Sequence, residues 1–365
     1  MGSDVGVREV LVKQAELVGE GLSAYERYPM VVSSSHSEAV THRYSDFELL
    51  RAALARRFPA CIVPAIPPRT LLKTSISAYF VSDLDFLENR RRGLEEFLNQ
   101  TLEHRKLRTS PELSEFLSVS DPLYSSLQAS TASQDSWSSR VFSFGWSYGS
   151  RLTQVLSRPP VLAKNEEDRK FDEVKGDIVL WKGQLEHLKV NMEEMMTLAQ
   201  GLSTCCYSLG VPLESLAKAS EGEIVALDTA SISQEAAEHS RKMRDTVGAG
   251  LERQVRGLEA ALEALERREK TMTELHETYA RLGDCKERMV RGKGNAQAVQ
   301  EEEDRKAVQE RNLRDLSTEL RNELEAFNAR VKQDVLEILR DYARLQASDQ
   351  EVMARKWKEA SKRVI

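Results

Sequence analysis

The sequence predicts an α+β domain on a three-stranded antiparallel sheet, followed by an all-α, elongated bundle of three long helices. Three observations predict it. Short runs rich in β-branched and aromatic residues, punctuated by Gly19 and Gly21, precede residue 45. Apolar residues at three- and four-residue spacing run through most of 161–362. Between the two lies a serine-rich stretch ending in Pro159-Pro160. The expected divisions are 7–124, 125–160 and 161–362.

Composition fits this plan. At 365 residues the chain has room for two or three domains. It is 30% charged and only 6% aromatic, lean for one globule but suited to helices with a single apolar stripe. A net charge of −6 argues against a general nucleic-acid binder. No run reaches the roughly 18 apolar residues of a membrane-spanning helix. The start, Met1-Gly2-Ser3, lacks a secretory apolar core, and Gly6 stands where a myristoylation signal wants Ser or Thr. A cytosolic chain with peripheral membrane contact is expected. Cys61, Cys205, Cys206 and Cys285 are scattered and read as reduced thiols.

In the first segment, Arg8–Val18, Leu22–Ser33 and Glu38–Tyr44 are predicted strands of a meander. A helix follows over Asp46–Phe58, with Phe47, Leu50, Leu54 and Phe58 on one face and Asp46 as its cap. Pro64-Ala65-Ile66-Pro67-Pro68 must be extended, because each proline fixes its own φ and restrains its predecessor. A second helix is predicted from Ser82, carrying Phe86, Leu94, Phe97 and Leu98, with Asp85 completing a capping-box pattern. Ser110-Pro111 opens a short last helix with Leu113, Phe116 and Leu117.

In the middle segment, Trp137, Val141, Phe144, Tyr148 and Leu152 share a helical face with Val155, and Arg140 and Arg151 flank it with Arg158. Gly145 and Gly149 lower its intrinsic helicity. Such a stretch is expected to fold at a lipid interface and insert its aromatic face.

The third segment opens with an unbroken ladder: Phe171, Val174, Ile178, Trp181, Leu185, Leu188, Met192, Met195, Ala199, Leu202, Cys206 and Leu209. Gly210 and Pro212 are expected to stop that helix. A second is predicted over 213–290, with its best pattern between Val247 and Leu282, and a break at Arg291-Gly292-Lys293-Gly294-Asn295. The third carries Leu313 through Leu345. Helices of roughly 40, 75 and 55 residues would run roughly 60 to 115 Å. Each has one stripe to bury, which suits a dimeric three-helix bundle.

Three basic residues of the first segment stand out. Arg43 is at a strand-to-helix junction beside Tyr44; a guanidinium fork suits a phosphate and a ring can stack on an inositol. Arg69 follows a rigid proline pair. Arg90 shares the buried face of its helix with Phe86, Leu94 and Leu98, so it needs an anion. An internal carboxylate such as Asp46, or a ligand phosphate, would serve. At the break after the second long helix, Lys286, Arg288, Arg291 and Lys293 form a basic tip. Each could add about 1 kcal/mol against anionic lipid.

His42-Arg43-Tyr44-Ser45-Asp46-Phe47 resembles the Arg-Arg-Phe/Tyr-Ser-Asp-Phe signature of PX (phox homology) domains. Val63-Pro64-Ala65-Ile66-Pro67-Pro68-Arg69 is similar to their proline-rich membrane loop, and Phe86 to Leu98 to the helix after it. A PX domain, a linker helix and three long helices resemble the PX-BAR sorting nexins. That resemblance implies a phosphoinositide site. Arg43 would hold the 3-phosphate of phosphatidylinositol 3-phosphate, Tyr44 would stack on the inositol, Arg69 would sit near the 1-phosphate and Arg90 would bind hydroxyls. His42 replaces the family's first basic residue and Arg69 its usual lysine, which bears on headgroup selectivity. It also implies a homodimer, or a heterodimer with another sorting nexin, on anionic endosomal membranes, with a retromer-type coat or cargo as a further partner. The implied work is sensing or generating curvature in endosomal sorting; the alternative is a PX-anchored coiled-coil tether that does not remodel membranes.

No catalytic site, metal site or cofactor is expected. The histidines lack ligand spacing. The single His187-Leu188-Lys189 with Glu194 is a poor match to the paired His-x-Lys-x4-Asp motifs of PX-bearing phospholipases.

Overall fold

The computed structural model describes residues 9–19, 25–33, 40–69, 83–120, 165–220 and 228–363. The predicted interfacial helix, from Trp137 to Val155, lies outside them, as does the whole serine-rich segment. The chain divides into two compact units. The first takes in residues 1–70, 82–177 and 260–325, and the second 71–81, 178–259 and 326–365.

In the first unit, strands β1 (Val10–Val12), β2 (Glu16–Val18), β3 (Tyr25–Val32) and β4 (Val40–Arg43) form an antiparallel sheet. The sequence predicts one strand over 8–18; the structure divides it. Val12 pairs with Met30, but Glu16 pairs with Arg27, so one extra residue bulges between the two pairings. Pro29 explains the position. It has no N–H for the ladder, and its carbonyl accepts Lys13 N–H instead, at 2.7 Å. On its other edge β3 pairs with β4 in unbroken register, Arg27 opposite Arg43 and Met30 opposite Val40.

Helix α1 (Tyr44–Arg57) starts two residues earlier than predicted, so Tyr44 opens the helix rather than ending the strand. Asp46 lies in the first turn, where its carboxylate accepts the backbone N–H of Arg43 at 2.8 Å. Helix α2 (Asp83–Glu103) and helix α3 (Pro111–Ser118) follow. Ser110 caps α3 as predicted, accepting Leu113 N–H at 3.2 Å. Tyr28, Met30, Phe47, Leu50, Leu54, Leu94, Phe97, Leu98, Leu113 and Phe116 fill a common core.

The rest of the described chain is helical: α4 (Glu166–Ala219), α5 (Thr229–Met243), α6 (Ala249–Val290) and α7 (Ala296–Arg363). Gly210 and Pro212 do not stop α4, contrary to expectation; the helix runs through both. Pro212 withholds one N–H from the helix ladder. On this exposed stretch the orphaned Ser208 carbonyl can turn to solvent, and good helix formers resume at Leu213. The second long helix begins at Thr229, where Asp228 accepts Ser231 N–H at 3.1 Å. A π-helical turn over Arg244–Gly248 joins α5 to α6.

The break at 291–295 is present. Gly292 has φ +71°, and α7 starts at Ala296. In the first unit the segment 59–64 is tied to the helices. Arg267 donates to the carbonyls of Pro59 and Cys61 at 3.0 and 2.7 Å, Arg51 pairs with Glu263, and Glu323 accepts from Ile62 N–H. In the second unit Met196, Leu251, Leu258 and Ile338 are buried, and a smaller cluster joins Cys206, Ile232 and Ala360.

Candidate phosphoinositide site

Strand alternation gives His42 and Arg43 opposite directions. His42 is 1% exposed. Its ring stacks on Phe116 at 3.9 Å, its Nε2 lies 2.8 Å from the Phe116 carbonyl, and its Nδ1 is 3.7 Å from Asp46. The residue in the first basic position of the motif is therefore a core residue, not a headgroup contact. Arg43 is half-buried, and its guanidinium lies 3.6 Å from the centre of the Tyr25 ring. Among the described residues its guanidinium makes no ion pair, and its backbone N–H donates to Asp46.

Tyr44 is 9% exposed and donates from its hydroxyl to the Pro67 carbonyl at 2.6 Å. Burial pushes its pKa well up, with the Glu48 carboxylate adding to the effect, so it stays a donor. This bond anchors Pro67-Pro68-Arg69 beside α1. Arg69 lies 3.8 Å from Glu48, with its side chain largely exposed. Burial raises the pKa of Glu48, and the Arg69 charge opposes that rise.

Arg90 is 8% exposed, on the buried face of α2 as its spacing predicts. Its anion is not Asp46. Nη1 pairs with Glu26 and lies 3.4 Å from the Tyr28 hydroxyl, while Nη2 donates to the Arg69 carbonyl. The guanidinium carbon is 4.3 Å from the Phe86 ring centre and 5.4 Å from that of Tyr44. The Tyr28 hydroxyl donates to Glu26 at 2.7 Å, and burial pushes its pKa up to about 12. Tyr44, Arg69 and Arg90 are thus brought together by direct contacts, and Arg43 is the residue before Tyr44 in the chain. Sequence reasoning missed Tyr25, Glu26, Tyr28 and Glu48. The Tyr25-Glu26-Arg27-Tyr28 run reads only as a strand, and Glu26 meets its partner 64 residues away.

All four residues of the predicted basic tip flank the α6–α7 turn. Lys286 pairs with Glu303 at 2.7 Å and Arg291 with Glu287 at 2.6 Å, while Arg288 and Lys293 are exposed. Met289 and Val290 beside them are also exposed, Val290 at 88%. No described helix is long and apolar enough to cross a membrane.

Comparison with known proteins bears on the fold and the first domain. The PX domain family model matches residues 30–120. Sorting nexin-2 of Bos taurus is 33% identical over 129 residues, 32% of this chain and 25% of that protein. Sorting nexin MVP1 of Candida albicans is 38% identical over 87 residues, 24% of this chain and 11% of that one. The matches thus span a quarter or less of these relatives. The structure of the SNX-BAR Mvp1 tetramer superposes with a TM-score of 0.63, covering 96% of this chain and 99% of that one at 18% identity. This chain is therefore a relative of the sorting nexins, with a PX domain at residues 30–120 in a chain that takes the fold of an SNX-BAR protein.

Proposed function

We propose that the chain is a peripheral membrane protein that reads phosphatidylinositol 3-phosphate with its PX domain. It self-associates through its long helices and senses or generates curvature on endosomal membranes. The observation that carries the headgroup reading is Arg43. It is a half-buried cation held on an aromatic ring, with its backbone fixed by Asp46 and no described carboxylate neutralising it. A cation fixed in place and left uncompensated suits an incoming phosphate. Arg69 brings a second charge from the proline-rich segment, and Tyr44 and Arg90 supply a ring and a buried guanidinium behind them. Two such domains on one assembly would multiply a weak single-site affinity through effective concentration. The basic tip, and the interfacial helix predicted from sequence around Trp137, Phe144 and Tyr148, would add contact with anionic lipid and apolar insertion.

Vesicle sedimentation tests the site. Arg43→Ala removes a charge-assisted contact worth roughly 1.5–3 kcal/mol. Binding to vesicles containing phosphatidylinositol 3-phosphate should fall about 10- to 100-fold, with the circular dichroism spectrum unchanged. Unaltered binding overturns the assignment. Electron microscopy of coated vesicles addresses curvature. Tubules at high coverage are expected, and vesicles that stay spherical at full coverage would reduce the protein to a tether.

A further inference from the structure

We infer that Arg267, on α6, is a positioning residue for the headgroup site. It fixes, from the long helices, the proline-rich segment that carries Arg69, so the helices of the first unit set how well the PX domain holds its ligand. This inference rests on the headgroup reading above and adds to it a residue outside the PX domain.

Residues 59–69 have no helix or strand to hold them. Pro59, Pro64, Pro67 and Pro68 bring no N–H, so the segment is held chiefly through its carbonyls. Near its start one guanidinium takes two of them: Nε and Nη2 of Arg267 donate to the Pro59 and Cys61 carbonyls at 3.0 and 2.7 Å. The Pro64 carbonyl accepts from Arg51 Nε at 2.9 Å, and Arg51 is paired in turn with Glu263 of α6 at 2.7 Å. Between them Ile62 N–H donates to Glu323 of α7 at 3.3 Å, and Glu323 also lies 2.8 Å from His104 Nε2. Ala60, Cys61, Ile62 and Val63 are buried among these bonds. At the far end the Pro67 carbonyl accepts the Tyr44 hydroxyl at 2.6 Å, and the Arg69 carbonyl accepts from Arg90. The segment is thus anchored twice, on α6 and α7 at one end and among the headgroup residues at the other. Its prolines fix φ and restrain the residues before them, so the stretch from Cys61 to Pro67 acts as a strut of about 20 Å and not as a hinge. A shift at Pro59 and Cys61 is passed along it to Arg69. Burial lowers the pKa of Arg267 to about 10, which leaves it a charged donor at neutral pH. Lysine cannot take its place, because a single ammonium lacks the planar fork that spans two carbonyls.

Calorimetry of the full chain with soluble inositol 1,3-bisphosphate tests this, free of any avidity for vesicles. Arg267→Gln should weaken binding about three- to tenfold, and Arg267→Lys nearly as much, since it keeps the charge but not the fork. In an Arg69→Ala background the same substitutions should change affinity less than about twofold, because the residue they act through is gone. Hydrogen exchange at the Ile62 amide should speed up in both. Equal losses with and without Arg69 would make Arg267 a merely structural residue and overturn the inference. Full recovery with lysine would overturn it in favour of a long-range effect of the charge. Glu323→Ala releases the same segment from α7 and keeps the test open if Arg267→Gln does not fold; it too should lose affinity only while Arg69 is present. If Arg43→Ala abolishes binding but Arg267→Gln and Glu323→Ala leave it unchanged, the headgroup site stands without this role. A wild-type chain that does not bind the soluble headgroup removes the headgroup reading, and this inference with it.

Discussion

Glu88, on the exposed side of α2, shows how much a single charge pattern can do and where it stops. Hydrogen bonds from Arg91 hold its carboxyl down at about 2, against the opposing effect of burial, and a further hydrogen bond from Arg92 adds to them. A carboxyl depressed in the folded state contributes stability that is present above the unfolded value, near 4.5. It is lost as pH falls toward 2. With the side chain about a third exposed, solvent screens the pair, so Glu88→Gln should cost less than about 1 kcal/mol at neutral pH. The pH-dependent signature is sharper than the size. Urea midpoints of wild-type and variant should converge as pH drops from 4.5 to 2, and a constant gap between them would assign the shift elsewhere. This helical i, i+3 and i, i+4 pairing is visible in the sequence, whereas the Glu26–Arg90 pair is not. The first follows from one helix, the second only from folding β3 against α2. His42 makes the same point. A motif read by spacing aligns it with the family's first basic residue, but strand alternation turns it onto Phe116.

At the scale of elements, apolar periodicity predicts which stretches are helical better than it predicts where they end. Phe171, Ile178, Leu185 and Met192 are buried at strict seven-residue spacing, as the ladder requires. The expected stop at Gly210 and Pro212 fails: the proline costs the helix one hydrogen bond on a largely exposed stretch, and Gly210 stays in the helix, its missing side chain leaving room for Thr229. The π turn at 244–248 and the bulge opposite Pro29 leave no mark in the hydrophobic pattern, because each inserts a residue without changing residue type. The α6–α7 turn is the reverse case, correctly located by its glycines. A Cβ on Gly294 would lie 2.5 Å from the backbone of Met289, and Gly292 sits in the left-handed region. Gly294→Ala must therefore shift backbone, not a side-chain end. A local cost above about 1 kcal/mol is expected, read as faster amide hydrogen exchange over 289–296 with the PX-domain core unaffected. Unchanged exchange would show that the turn has room the structure does not display.

For the molecule as a whole, the apolar surface left uncovered on the second unit bears on the proposed self-association. The ladder on α4 is only half used. The buried positions alternate with Trp181, Met195, Leu202 and Leu209, which are 36–54% exposed, and Leu198 and Leu216 beside them are 73% and 54% exposed. A stripe this long and apolar is unusual on a monomer and suits an interface. The stripe continues the heptad that packs the chain's own core, so a second copy presenting the same stripe is a natural cover, and a C2 contact would be self-complementary. Each leucine covered is worth roughly 1.5–3 kcal/mol. Leu202→Glu with Leu209→Glu removes four such side chains from a symmetric pair, and should weaken association by at least roughly a thousandfold. Light scattering coupled to size exclusion should then read a dimer or larger assembly for wild-type protein and a monomer for the variant, with helicity retained. Vesicle binding gives the linked readout. The monomer keeps its Arg43 site but loses the second headgroup contact, so its affinity for phosphatidylinositol 3-phosphate vesicles should fall while its affinity for a soluble headgroup does not. A variant that stays assembled would move the interface off this stripe, and a monomeric wild-type protein would remove the need for one.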